Sequence, residues 1–256
     1  GNHMLFAIIV ALIIGLVIVA VVANTMQQQK EKLEAERRQE MAKFRAIIDE
    51  TEEIIMNEVG VPISNEGFAI LYKRVLSALQ GMNEVSPNQK DILSRIQSVK
   101  DKIESQDFPS ADANNFDLPD NEKILVALVQ GIKKYRTILR SEHGKGRIPS
   151  NLFMAEDKKV EKLQLRINID SQVRRGKMAL SNGMTGSARQ YFEKAMATLD
   201  AQTYSDDFIM KRKSEVGEML EKIMTELKTA NADAVKKKLA EEKDDLDELF
   251  APKKKW

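Results

Sequence analysis

The sequence predicts an all-α protein: an N-terminal transmembrane helix, a helical stalk, and a multi-helix body of αα-hairpins. Three observations lead there. An unbroken apolar run stands near the start of the chain. Beyond it, apolar residues recur at spacings of three and four in one segment after another, the period of one helix face. The composition also favours helices, with aromatics at only 5% and Glu, Lys, Leu, Met, Ala and Gln plentiful, residues that lose little side-chain entropy in a helix.

Gly1-Asn2-His3 ahead of Met4 reads as an expression scar (1–3), with the natural start at Met4. Residues 4–23 read as the transmembrane helix. From Leu5 to Ala23 no polar side chain occurs, and at 1.5 Å per residue that run covers roughly 28 Å, close to the hydrocarbon thickness of a bilayer. A cleaved signal peptide is the competing reading, with Val21-Val22-Ala23 as its cleavage site. Against it, no Lys or Arg precedes the run, which is also longer than a signal peptide's apolar core. Lys30, Lys32, Arg37 and Arg38 follow the run, interspersed with Glu31, Glu34 and Glu36. The positive-inside rule then predicts a single-pass protein of the inner or plasma membrane, with its C-terminal body in the cytoplasm. Ala7, Ala11 and Gly15 share one face at every fourth residue. Small side chains at that spacing let two helices approach closely, so this face predicts association within the bilayer.

Residues 24–60 read as a juxtamembrane stalk. Its first half is polar all round, as in a spacer. In its second half Met41, Phe44, Ile48, Thr51 and Ile55 form a short heptad-like seam, able to pair with a second copy as a coiled coil or to pack on the body. Anchor and stalk are thus the predicted route to a homo-oligomer. Gly60-Val61-Pro62 should end the stalk.

The body spans 61–230. Ser64-Asn65 should open a helix reaching about Gln80, with Phe68, Leu71, Val75 and Leu79 inward and Gly81 as its stop. Ser86-Pro87-Asn88-Gln89 looks like the next start, with Ser86 as cap, Pro87 in the first helical position and Gln89 closing a capping box. Ile92, Ile96, Val99 and Ile103 give that helix its stripe. The loop 106–120, rich in Asp, Asn, Ser and Pro, is expected to be either an internal boundary or a mobile binding loop, with Phe108, Phe116 and Leu118 tucked onto the helices. A third helix, from about Asp120 to Ser141, should bury Ile124, Leu128, Ile132, Tyr135 and Leu139. Gly144, Gly146 and Pro149 then break the chain.

After Ser150 a long helix should reach Ser181, stopped by Asn182-Gly183. Another starts near Thr185, and a third at Ser205 with Asp206 and Asp207 in its first turn. Gly176, Ala188, Phe192 and Ala195 stand at successive spacings of twelve, four and three. The stretch 169–200 resembles a single degenerate tetratricopeptide repeat, in which a small residue of one helix faces small and aromatic residues of the next. The resemblance implies a tight hairpin with Phe192 against Gly176. Gln172 replaces the aromatic expected in the first helix and Asp200 the terminal proline, and no second copy follows, although such repeats stack on neighbours.

Residues 231–256 form a charged tail. Val235 and Leu239 are its large apolar residues up to Lys243, so that part should be solvated. Leu246, Leu249 and Phe250 then form an apolar edge among acids, with Pro252 as a stop before Lys253 to Lys255 and Trp256. A segment this short should be disordered when free and order on a partner. The Asp244-Asp245-Leu246 run resembles the acidic tail by which the bacterial chemotaxis phosphatase holds its response regulator. That resemblance implies a partner-binding tail; a solubilising end is the plainer reading.

Function classes fall by elimination. With 40 Lys+Arg against 39 Asp+Glu, the chain lacks the basic excess of a nucleic-acid binder. There is no Cys, which removes disulfides, thiolate metal sites and cysteine nucleophiles. Apart from His3, His143 is the only histidine, too few for a metal centre with no Cys to join it. No Gly-x-Ser-x-Gly elbow and no Gly-x-x-x-x-Gly-Lys phosphate loop is present. The expectation is no enzyme, no metal and no cofactor. What remains is a membrane-anchored cytoplasmic adaptor or scaffold, contacting the bilayer through its first helix and an unidentified protein through its body, its tail or both. The alternative is an outward-facing structural or chaperone-like helical protein of the cell envelope.

Overall fold

The computed structural model describes residues 1–251. Among them it holds seven α-helices: α1 (Asn2–Met56), α2 (Asn65–Val85), α3 (Lys90–Ser105), α4 (Glu122–Gly144), α5 (Ser150–Ser181), α6 (Thr185–Asp200) and α7 (Asp207–Leu249), with one 3-10 turn at Ala113–Asn115. No strand occurs among the described residues, so the chain is all-α. It divides into two compact units, residues 1–160 and 161–256, and the division falls inside α5. The loop 106–120, expected as a boundary or a mobile binding loop, lies within the first unit. Ala111 N donates to Ile63 O at 3.0 Å, and the Phe108 ring stacks on Phe68 and Tyr72, so that loop is sewn onto its own unit.

The anchor run and the stalk are one helix. Nothing breaks α1 between Asn2 and Met56, because the polar stretch after Ala23 is still made of good helix formers. It ends where Asn57 turns left-handed (φ 51°). The Asn57 side-chain oxygen there accepts from Val61 N at 2.7 Å, and its amide donates to Val61 O at 2.6 Å. Gly60, at φ 76°, completes the reversal, a conformation that favours glycine.

In the first unit the stalk seam packs on the chain's own body. Met41 and Ile48 are buried against Val75, Leu79 and Met82 of α2 and Ile92 and Ile96 of α3, with Phe44 alongside. Two expected helix ends move. Gly81 does not stop α2. A Cβ there would lie 2.5 Å from the Phe44 ring, so this glycine permits a close approach of two helices. Ser86 follows the end of α2 rather than capping α3, which begins at Lys90 after an Asn88 at φ 64°. Gln89 still reaches Ser86, donating to its Oγ at 2.6 Å, but across a turn. On α4 the inward stripe is Leu125, Leu128, Ile132, Tyr135 and Leu139. Ile124, expected inside, is 51% exposed, and Leu125 is buried in its place, since a stripe that steps back by four from Leu128 drifts off the face and the first inward position falls three residues before Leu128.

The second unit takes the rest of α5 with α6 and α7. Ile169, Val173, Phe192, Leu199, Ile209, Val216 and Ile223 are buried together. Asp206 caps α7 by accepting from Ile209 N at 2.9 Å. Beyond Ile223 every described residue of α7 is exposed, yet the helix continues to Leu249. The tail, expected to be disordered when free, is therefore helical as far as Leu249. Its nucleation cost is already met by the folded half, and each added residue needs only propagation.

Candidate interaction surfaces

Three places hold the residues the sequence singles out, and a fourth emerges from the structure. On α1 the stretch from Met4 to Val22 exposes its large apolar side chains, such as Leu12 at 62% and Leu16 at 70%. This is one helix long and apolar enough to cross a membrane, with none of its most apolar window buried. Ala7, Ala11 and Gly15 lie on it, fully exposed, and nothing lies within 4 Å of a Cβ placed on Gly15.

The hairpin residues come together in the second unit. Ala188, Phe192 and Ala195 have no solvent exposure. A Cβ on Gly176 would lie 2.7 Å from the Phe192 ring, so the ring occupies the space that the glycine leaves. Gln172 places its side-chain oxygen in the interior with no hydrogen-bond partner among the described residues, which costs about 1–3 kcal/mol for a buried polar group. On the outer side Arg212 bridges Asp170 at 2.9 Å and also pairs with Glu215, while Lys177 reaches Glu215 at 2.8 Å. Burial pushes the Asp170 carboxyl up in spite of the Arg212 guanidinium.

The tail residues come together as a bare edge. Leu246 is 54% exposed, Leu249 78% and Phe250 81%. Pro252, Lys253 to Lys255 and Trp256 lie outside the described residues.

The fourth place was not visible as a site in the sequence. Arg74, on α2, is buried with Glu142 of α4, and its Nη1 donates to Glu142 Oε1 at 2.8 Å. Its Nε donates to Thr51 Oγ1 of α1 at 3.0 Å, and Glu50 of α1 lies 3.6 Å from its other terminal nitrogen. Thr51 Oγ1 in turn donates to Ile47 O at 2.6 Å. One guanidinium thus ties three helices, with its donors spent on a charge and a hydroxyl, as a buried cation requires. A second buried acid, Glu156, accepts from Ser64 at 2.7 Å and Lys159 at 2.9 Å, and its hydrogen bond holds the Lys159 ammonium above the usual lysine range. Arg136 grips Asp157 through two nitrogens, at 2.8 and 3.1 Å, and that hydrogen bonding holds the Asp157 carboxyl below its usual range. Tyr135 is raised by burial, with Glu156 and Glu66 adding to the effect; its hydroxyl sits where a Cβ on Gly67 would be.

These charged groups hold helices together. His143 stacks on Phe153 at 4.1 Å between centroids, its Nε2 3.3 Å from Ser150 Oγ. Among the described residues no group of three or more His, Asp or Glu side chains is placed to hold a metal. A cleft of about 440 Å³ lies where the end of α1 meets α4, lined by Asp49, Glu52, Glu58, Val59, Gly131 and Lys134 among others. Two of its acids are already paired, Glu52 with Arg95 and Glu53 with Lys134.

Compared with known protein families, curated proteins and solved structures, the chain finds no match in any of the three. The likeness of residues 169–200 to a tetratricopeptide repeat therefore gains no support from the comparisons.

Proposed function

We propose that this protein is a single-pass, membrane-anchored adaptor whose helical body and C-terminal helix recruit a protein partner on the cytoplasmic side. The observation that carries the reading is α1. Its apolar stretch is wholly exposed, and the same unbroken helix runs on to supply Met41 and Ile48 to the core. Such a stretch in water would expose far more contiguous apolar surface than a soluble monomer tolerates, and a bilayer removes it from water. Lys30, Lys32, Arg37 and Arg38 on the C-terminal side favour a cytoplasmic body. The hairpin around Phe192 and the C-terminal end of α7, with Phe250 exposed among Asp244, Asp247 and Glu248, are the surfaces offered to a partner.

The test is fractionation of cells producing the full chain, with a reporter fused after Trp256 that is active only inside or only outside the membrane. The expected result is a chain that stays with the bilayer in alkaline carbonate and a reporter active inside. A chain released by carbonate would overturn the anchor. An outside reporter would instead favour the envelope-facing structural or chaperone reading.

A further inference from the structure

We infer that the exposed half of α7 is a self-association seam, which pairs antiparallel with the same segment of a second copy. From Ala232 onward the helix repeats with heptad spacing. Ala232, Leu239 and Leu246 take one seam position and Val235, Glu242 and Leu249 the other, so five of the six are apolar. All of them are exposed, on a helix with no tertiary packing past Ile223. Helices in water draw most of their stability from packing an apolar face, so this half of α7 lacks a neighbour.

Charge decides which neighbour and in which direction. Side by side in parallel, two copies would place Glu242 against Glu242 in the seam and Lys238 beside Lys243 on the flank. Both contacts repel. In the antiparallel register with Val235 opposite Leu246, Ala232 meets Leu249 and Leu239 meets Glu242. Lys238 then lies beside Asp245 of the second copy. On the other flank Lys236 and the second copy's Lys243 face each other, with the second copy's Glu242 between them. That Lys–Lys contact repels as the parallel one does, so the direction rests on separating the two Glu242 side chains and on the Lys238–Asp245 attraction, and each of these relations occurs twice by symmetry. The stalk seam cannot serve instead, because α2 and α3 already cover Met41 and Ile48. A seam shorter than three heptads is weak in free solution. Two copies tethered in one bilayer meet at a high effective concentration, which compensates; for its strength, though not its geometry, the pairing rests on the proposed anchor.

The chain has no cysteine, so engineered thiols can report the register in the full-length protein. Val235→Cys and Leu246→Cys are reconstituted in lipid vesicles, separately and mixed, and oxidised, with Lys237→Cys on the outer face as control. The mixture should form the disulfide-linked dimer about tenfold more than any single variant, a preference equal to about 1.4 kcal/mol. Equal cross-linking within single-variant samples would mean parallel pairing or random collision, and would overturn the proposal. So would a mixture no better than the Lys237→Cys control, or thiols in intact cells that trap a different protein instead of a second copy. Flotation of the same vesicles scores anchoring separately. A mixed disulfide supports the pairing whether or not the chain floats; its absence from chains that float overturns the pairing alone, and its absence from chains that do not float overturns the anchor and the tethered pairing with it.

Discussion

Phe192 fills the space beside Gly176 with no exposure of its own, so its removal leaves a hole that the rigid backbone around it cannot close. Phe192→Ala should cost about 3–5 kcal/mol, the range for truncating a core aromatic, read from thermal unfolding of the body; an unchanged melt would refute the register. Glu142→Ala should cost about as much, since it strands the Arg74 guanidinium in the interior. The double change Arg74→Met with Glu142→Leu should recover much of that loss. The sign of that difference separates a buried pair kept for packing from one kept for stability. Asp157 gives the pH test. Arg136 lowers its pKa from the ordinary 3.8, so the folded state binds the proton less readily than the unfolded chain does. Its contribution is therefore full above about pH 3.8 and lost as pH falls through the lowered value. Asp157→Asn should shrink the gap in melting temperature between neutral and strongly acidic solution. Phe192 was legible in the sequence because a small-aromatic-small spacing has one reading on a hairpin. Arg74 and Glu142 were not, because long charged residues on an amphipathic helix are ordinarily its wet face.

Among the helices, α5 and α6 follow the sequence most closely, with Asn182-Gly183 and Thr185 where a stop and a start should be. Glycine misled elsewhere, for a physical reason. The same residue that ends helices also lets two of them touch, and only the neighbour decides which role it plays. Gly81→Ala separates the two. Propensity alone would make it stabilising by about 1 kcal/mol inside α2. With Phe44 2.5 Å from the new Cβ, the net effect should be destabilising instead, as in an overpacked core. Chemical denaturation measures the sign. On α7 the prediction runs the other way: replacing Leu246, Leu249 and Phe250 together with Ala should leave thermal unfolding within about 0.5 kcal/mol of the parent, because nothing packs on them within the chain. A larger loss would show that the monomer uses them.

For the whole molecule, all-α architecture and an exposed apolar N-terminal stretch follow from periodicity and composition, whereas the choice of the stalk seam between a second copy and the body, settled by the burial of Met41 and Ile48, does not. The chain beginning at Met41 should be soluble and strongly helical by circular dichroism, because Met41 is the first buried residue. Starting instead after Gly60 should unfold the first unit by removing Ile48, Thr51 and Ile54 from its interior. The unbroken path of α1 also has a mechanical meaning. Between Ala23 and Met41 every residue of the helix but Ala35 is exposed, and at 1.5 Å per residue it sets a stand-off of about 27 Å. A helix of this kind fixes azimuth as well as height. One alanine inserted near Gln28 should lift the body by about 1.5 Å and swing it by about 100°, while four should lift it by about 6 Å and restore its bearing to within about 40°. A partner held at a fixed place on the membrane would feel the first change as misalignment and the second as little more than a longer reach.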